Sequence, residues 1–125
     1  MAAHRSNSLT TEAISARSRP SGPWTVVEVR GEMDVQAEPL VRDVLSAEAT
    51  CVVFDLRAVT FLDASGLRVL LDVRRRAVEV GGRVRLVAPS RPVRRILTLT
   101  RTDRLFLTVD TVEAAVTTPF AADLP

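Results

Sequence analysis

Residues 51–56 read Cys-Val-Val-Phe-Asp-Leu, an almost unbroken apolar run. A run of this length is typical of a strand buried on both faces, and such strands occur in parallel sheets that helices cover on either side. The neighbouring segments supply such helices, because apolar residues recur at helical spacing in residues 37–47 and again from Leu67 to Val78. The run therefore indicates the α/β class.

The remaining segments alternate between strand and helix patterns. The predicted strands are residues 10–17, 24–30, 51–56, 83–88 and 105–109. Because alternating strands and helices imply right-handed crossovers, the sheet is expected to be largely parallel. We predict an α/β fold with a mostly parallel sheet of four to five strands, an N-terminal antiparallel hairpin and about four helices. It forms one domain at residues 9–116, between a disordered tail at 1–8 and a second tail at 117–125.

The composition argues against several classes of function. All 17 basic residues are arginine, but 15 acidic residues accompany them, and a net charge of +2 gives little of the field that nucleic-acid binding uses. The single cysteine and single histidine cannot form a disulfide or a usual zinc site, and they disfavour a Ser-His-Asp triad. No apolar stretch approaches the ~20 residues of a membrane span, and the N-terminus lacks the apolar core of a signal peptide. We therefore predict a cytoplasmic protein without catalytic residues, metal or cofactor.

The most specific pattern lies in residues 53–67. A strand ending in Asp-Leu is followed by a Val-x-Phe-x-Asp connector at residues 59–63 and by Gly-Leu at the start of a helical pattern. Three further segments accompany it in order, at residues 31–34, 82–87 and 93–97. Each motif alone is weak, but in this order and spacing the set resembles the STAS family, and within it the antagonists of anti-sigma factors. The resemblance covers about residues 9–116.

That resemblance implies a fold and a function. It implies the STAS fold and a protein-binding regulator, not an enzyme, present as a monomer or weak dimer. The implied partner is a serine kinase of the GHKL type that is also an anti-sigma factor. Docking on this kinase would free a sigma factor and so regulate transcription, and phosphorylation of a serine in the turn before the second helix would reverse the docking.

The physical chemistry of such a turn agrees with this function. A helix N-terminus leaves backbone N–H groups unpaired and carries a partial positive charge, so it suits an anion. A phosphate there would add nearly two negative charges in the middle of any interface that uses the turn. In the resembling family the phosphoacceptor directly follows the turn aspartate, and here that residue is Ala64, which has no hydroxyl. Three interpretations follow: the chain is a permanently unmodified antagonist, an antagonist that uses Ser65 as its phosphoacceptor, or a STAS adaptor outside this control.

The residues expected to contact the partner surround this turn. They are Asp34, Asp63, Ala64, Ser65, Gly66, Leu67 and Arg68. Several also have a purely structural interpretation. Ser65 or Asp63 would cap the helix, Asp34 would close a turn, Gly66 would meet a packing requirement, and Arg68 would pair with Asp72 four residues later.

Two other functions stay open at this point. Ala64 is compatible with a non-catalytic STAS subunit of a transport complex or stress-signalling scaffold, outside phosphorylation control. A small enzyme or nucleotide binder would need a different site. Asp34, Asp55 and Asp63 are candidates for a cluster of metal-binding carboxylates, but no glycine-rich phosphate-binding motif is present.

Overall fold

The computed structural model describes residues 7–10 and 13–123, with side chains from residue 13 onward. The strands are β1 (Asn7–Thr10), β2 (Ile14–Ser21), β3 (Trp24–Met33), β4 (Cys51–Leu62), β5 (Arg83–Val87) and β6 (Leu107–Val109). The α-helices are α1 (Ala37–Val44), α2 (Ala64–Glu79), α3 (Arg91–Leu99) and α4 (Val112–Thr117). Short 3-10 helices lie at Thr102–Leu105 and Phe120–Asp123.

One sheet contains the described strands in their chain order, from β1 to β6. The β1–β2 and β2–β3 pairings are antiparallel, and the three pairings from β3 to β6 are parallel. The predicted α/β class, N-terminal hairpin and mostly parallel sheet are therefore confirmed. The sheet has six strands instead of four to five, because β1 adds an antiparallel edge. Asn7 and Ser8 belong to β1 although they were expected in the tail, and residues 1–6 of that tail lie outside the described residues.

The central strand β4 is twice as long as its apolar run suggested. Residues 57–62 lie beyond the strand predicted at 51–56, but they continue it, because the segment 58–62 pairs in parallel with residues 30–33 of β3. The pairing slips at two irregularities, and Gly31 lies at one of them with a φ of +95°. A Cβ on Gly31 would stand 2.1 Å from the carbonyl oxygen of Ala13, so glycine permits the close approach of β2. The extension carries β4 beyond β5 toward the start of α2.

The two faces of the sheet are covered by different elements. Alternate strand residues such as Val27, Phe54 and Leu86 pack on one face with the apolar sides of α1, α2 and α3. Trp24, Val53 and other residues pack on the second face, where α4 covers them. Within residues 7–10 and 13–123, no helix is long and apolar enough to cross a bilayer.

The C-terminal segment is part of the folded body, whereas a tail was expected from residue 117. Arg85 in β5 is fully buried on the second face, and its guanidinium donates hydrogen bonds to the carbonyl oxygens of Ala115, Thr118 and Pro119. It also forms a salt bridge of 2.6 Å with Asp123. A buried guanidinium needs partners for its N–H groups, and the segment at 115–123 supplies them.

Candidate functional site

The turn between β4 and α2 lies on the surface at the start of a helix. We call residues 62–67 the α2 turn. Leu62 is buried and anchors it, whereas Ala64 and Ser65, the first two residues of α2, are exposed. The carboxyl ends of parallel strands share one edge of a sheet, so the turn lies beside the end of β3. The helix start and the exposure both agree with the arrangement that the sequence predicted.

Asp63 is the residue that caps α2. Its carboxylate Oδ1 accepts a hydrogen bond of 3.0 Å from the backbone N–H of Gly66. This decides between the two predicted caps, because Ser65 is the second residue of the helix and its hydroxyl has no hydrogen-bond partner among residues 13–123. A side-chain cap of this kind contributes about 1 kcal/mol to stability. The Ser65 hydroxyl is therefore accessible and uncommitted.

The carbonyl group of Met33, at the end of β3, fixes the position of the α2 turn. Its oxygen accepts a hydrogen bond of 3.2 Å from the N–H of Asp63. The same oxygen would stand 2.1 Å from a Cβ built on Gly66. Gly66 thus meets a packing requirement, because a side chain there would push the first turn of α2 away from β3.

Asp34 lies next to this turn at the same edge of the sheet. Met33 and Leu62 are paired across β3 and β4, and Asp34 and Asp63 are the residues that directly follow them. The carboxylate of Asp34 accepts a hydrogen bond of 2.9 Å from the N–H of Gln36 and so closes the turn before α1. Asp34 therefore has the structural role that the sequence suggested, in a place where a partner on the α2 turn would reach it.

Leu67 is half-buried and Arg68 is exposed on the following turn of α2. The expected pairing of Arg68 with Asp72 is absent. Instead, Asp72 pairs with Arg75 at 3.7 Å, and Arg68 makes no ion pair with any residue from 13 to 123. The i,i+3 and i,i+4 spacings compete on a helix surface, and here the i,i+3 pair forms. Arg68 is thus free to contact a partner.

The structure adds two apolar side chains to this edge that sequence reasoning did not assign to it. Phe61 is 48% exposed next to the α2 turn, and Val35 is 71% exposed after Asp34. Phe61 belongs to the connector motif, but nothing in its spacing distinguishes an exposed from a buried aromatic. The strand irregularities that orient it arise from pairing with β3, so only the tertiary structure reveals its exposure.

Ser90 places α3 beside the extension of β4. It occupies the N-cap position of α3, but its hydroxyl does not accept a hydrogen bond from the helix. Instead, the hydroxyl donates to the carbonyl oxygen of Val59. Because Val59 is three residues before Leu62, this bond holds the beginning of α3 near the α2 turn.

The three candidate metal-binding aspartates are not gathered into a site. Asp55 is buried, and its carboxylate accepts two hydrogen bonds from the guanidinium of Arg57, at 2.9 and 2.7 Å. These hydrogen bonds and the negative charge of Asp55 raise the pKa of Arg57. In the part of the chain from 13 to 123, no three His, Cys, Asp or Glu side chains come together as a metal site.

A family model for the STAS domain matches residues 13–115. The chain belongs to the STAS domain family. A STAS-domain containing protein of Pseudomonas aeruginosa is 32% identical to it over 97 residues, which are 75% of this chain and 96% of that protein. The predicted STAS fold is thus confirmed.

Solved structures of anti-sigma factor antagonists share this STAS fold. One from Mycobacterium paratuberculosis has a TM-score of 0.73 at 28% identity, covering 87% of this chain and 97% of the other. The antagonist SpoIIAA of Bacillus, in its unphosphorylated form, has a TM-score of 0.66 at 23% identity, covering 91% and 93% of the two chains. At that identity the likeness to SpoIIAA shows the fold alone.

Proposed function

We propose that this STAS domain is an anti-sigma factor antagonist that binds a GHKL-type serine kinase acting as an anti-sigma factor, and thereby releases a sigma factor for transcription. The supporting observation is the exposed α2 turn, which the Asp63 cap and the Met33 carbonyl hold in one conformation. A preformed turn loses little conformational entropy when a partner binds it. The proposal makes the chain a non-catalytic cytoplasmic protein, a monomer or weak dimer.

The proposed interface contains the predicted set of residues. Ala64, Ser65 and Arg68 offer exposed atoms at the start of α2, with Leu67 half-buried behind them. Asp63 and Gly66 act mainly by positioning that helix start, and Asp34 borders it from β3. Interface energy is often concentrated in a few central side chains, and on this surface the exposed Phe61 is the aromatic residue beside the turn.

Binding measurements with purified kinases test the proposal. We expect at least one GHKL-type kinase encoded in the source genome to bind the full chain in isothermal titration calorimetry. Ala64→Trp places a bulky side chain in the centre of the proposed interface and is expected to raise Kd at least tenfold, which corresponds to about 1.4 kcal/mol. Ala47→Trp is the matched control, because Ala47 is also exposed but lies past the far end of α1.

Two results would contradict the proposal. One is the absence of detectable binding to every GHKL-type kinase of the source organism. The other is an equal loss of affinity in Ala64→Trp and Ala47→Trp, because the α2 turn would then have no special part in the complex.

Phosphorylation of the α2 turn is tested separately with the kinase that binds. Incubation with ATP followed by intact mass spectrometry is expected to add one phosphate to Ala64→Ser, because this variant restores a hydroxyl at the position after the turn aspartate. One phosphate on the wild type that disappears in Ser65→Ala identifies Ser65 as the acceptor. An unmodified wild type identifies a permanently active antagonist. Failure of the kinase to modify Ala64→Ser would contradict phosphorylation control at this turn.

Ala64 also favours a second candidate function, a non-catalytic STAS subunit of a transport complex or stress-signalling scaffold. Such a subunit needs no phosphoacceptor, and one fold supports unrelated functions. Co-purification from the source organism separates the two candidates. Recovery of an ATP-binding-cassette subunit instead of an anti-sigma kinase would favour the second.

A further inference from the structure

Helix α3 presents three arginines to solvent without an acidic residue among them. Arg91, Arg94 and Arg95 are all exposed, and we call them the arginine array. Arg94 and Arg95 lie three and four positions after Arg91, and residues with these spacings lie on one surface of a helix. Thr98 and the 68%-exposed Leu99 line the same surface concavity of about 400 Å³.

The arginine array is electrostatically unfavourable in the isolated chain. Like charges at i,i+3 and i,i+4 repel each other, and Arg91 and Arg94 lie in the first turn of α3, where the helix dipole opposes positive charge. Among residues 13–123, the array makes one side-chain hydrogen bond, from Arg94 to the carbonyl oxygen of Pro89. Among residues 13–123, none of the three forms an ion pair, whereas Arg75 on α2 pairs with both Asp72 and Glu79.

The arginine array begins near the extension of β4 that leads to the α2 turn. Helix α3 begins directly after β5 at the same edge of the sheet, and the hydrogen bond from Ser90 to Val59 joins its start to the extension of β4. The array begins at the residue after Ser90. A protein that docks on the α2 turn and extends along β4 toward the start of α3 would therefore reach the array.

We infer that the arginine array is a second contact surface for the partner, one that binds an acidic segment of that protein. The inference rests on the proposed function, since the partner is the one that the α2 turn binds. Arginine suits this role because its planar guanidinium donates paired hydrogen bonds to a carboxylate. The exposed Leu99 adds an apolar contact beside the charges. A nucleic-acid ligand is disfavoured for two reasons. The net charge of the chain is only +2, and the three cations of the array are few for the several phosphates that a nucleic-acid site neutralises.

A decaglutamate peptide probes the array independently of the kinase. In nuclear magnetic resonance titrations of the labelled full chain, we expect the peptide to shift the amide signals of residues 91–99 most strongly. The variant Arg91→Gln/Arg94→Gln/Arg95→Gln is expected to raise the half-saturating peptide concentration at least fivefold. The control Arg74→Gln/Arg75→Gln/Arg76→Gln removes the same charge from α2 and is expected to change it less than twofold. Equal effects of the two variants, or tighter binding of a deca-deoxythymidine strand than of the peptide, would overturn the inference.

The kinase identified by the binding measurements is then used to test whether the array contacts it. We expect the array variant to slow its association about tenfold at low salt, with a smaller effect at 0.5 M salt, because exposed charges act mainly on encounter and are screened. A kinase that associates equally fast with the array variant and the wild type overturns the inference while leaving the proposed function intact. If no kinase binds the wild type, the proposed function fails, and the peptide titration alone decides whether the array takes acidic segments.

Discussion

Asp123→Ala is expected to lower the free energy of unfolding by about 3 kcal/mol, a large effect for the third residue from the end of the sequence. Its carboxylate is the only negative charge in contact with the fully buried guanidinium of Arg85 among the residues from 13 to 123. Removing one partner of a buried ion pair leaves the other charge uncompensated, which costs about 3–5 kcal/mol. The lower value applies here because three carbonyl oxygens and the ring of Trp24, 4.6 Å from the guanidinium carbon, remain around Arg85.

Urea unfolding followed by circular dichroism measures this loss as a fall in the transition midpoint. Glu38→Ala is the matched control, since it breaks the exposed ion pair with Arg42 and is expected to cost about 0.5 kcal/mol or less. The double variant Arg85→Met/Asp123→Ala is expected to be more stable than Asp123→Ala alone, because no charge is then left buried. A loss in Asp123→Ala no larger than that of Glu38→Ala would show that the C-terminal segment does not hold Arg85 in solution.

Gly66→Ala is the second substitution with a large expected effect. It is expected to destabilise the protein, whereas the same replacement inside a helix usually stabilises it. Replacing glycine by alanine inside a helix normally stabilises by about 1 kcal/mol. Here the new Cβ would lie 2.1 Å from the backbone oxygen of Met33 and 2.7 Å from Cδ1 of Leu62. A backbone oxygen held in a sheet cannot move aside cheaply, and overpacking costs about 1–3 kcal/mol. We expect Gly66→Ala to destabilise the protein by about 2 kcal/mol and to displace the start of α2.

The same urea unfolding measurement checks Gly66→Ala. Ser65→Ala, at the neighbouring residue on the same turn, is the control. Ser65 is exposed and its hydroxyl has no partner within residues 13–123, so Ser65→Ala is expected to leave stability unchanged or to raise it slightly. Binding of the proposed kinase is expected to weaken in Gly66→Ala, because the displaced turn no longer presents Ala64 in the docking position. A Gly66→Ala protein as stable as the wild type would contradict the close contact with Met33.

Local features of the sequence determined the class of fold and the place of the candidate site. The apolar run at 51–56 indicated the buried central strand, and the alternation after it indicated a parallel sheet with helices on both faces. The connector motif located the α2 turn, and Ala64 showed directly that the expected acceptor hydroxyl is missing. These properties could be predicted because periodicity, capping and side-chain chemistry depend on residues that are close in the chain.

The tertiary structure alone decided the features that depend on residues distant in sequence. Residues 57–62 extend β4 because β3 pairs with them, and Asp63 caps α2 in preference to Ser65 because the Met33 carbonyl fixes where the helix begins. The segment at 117–123 is folded because Arg85, more than 30 positions earlier, needs its hydrogen-bond acceptors. Such contacts bring together groups whose separation along the chain carries no periodic signal, so sequence patterns did not reveal them.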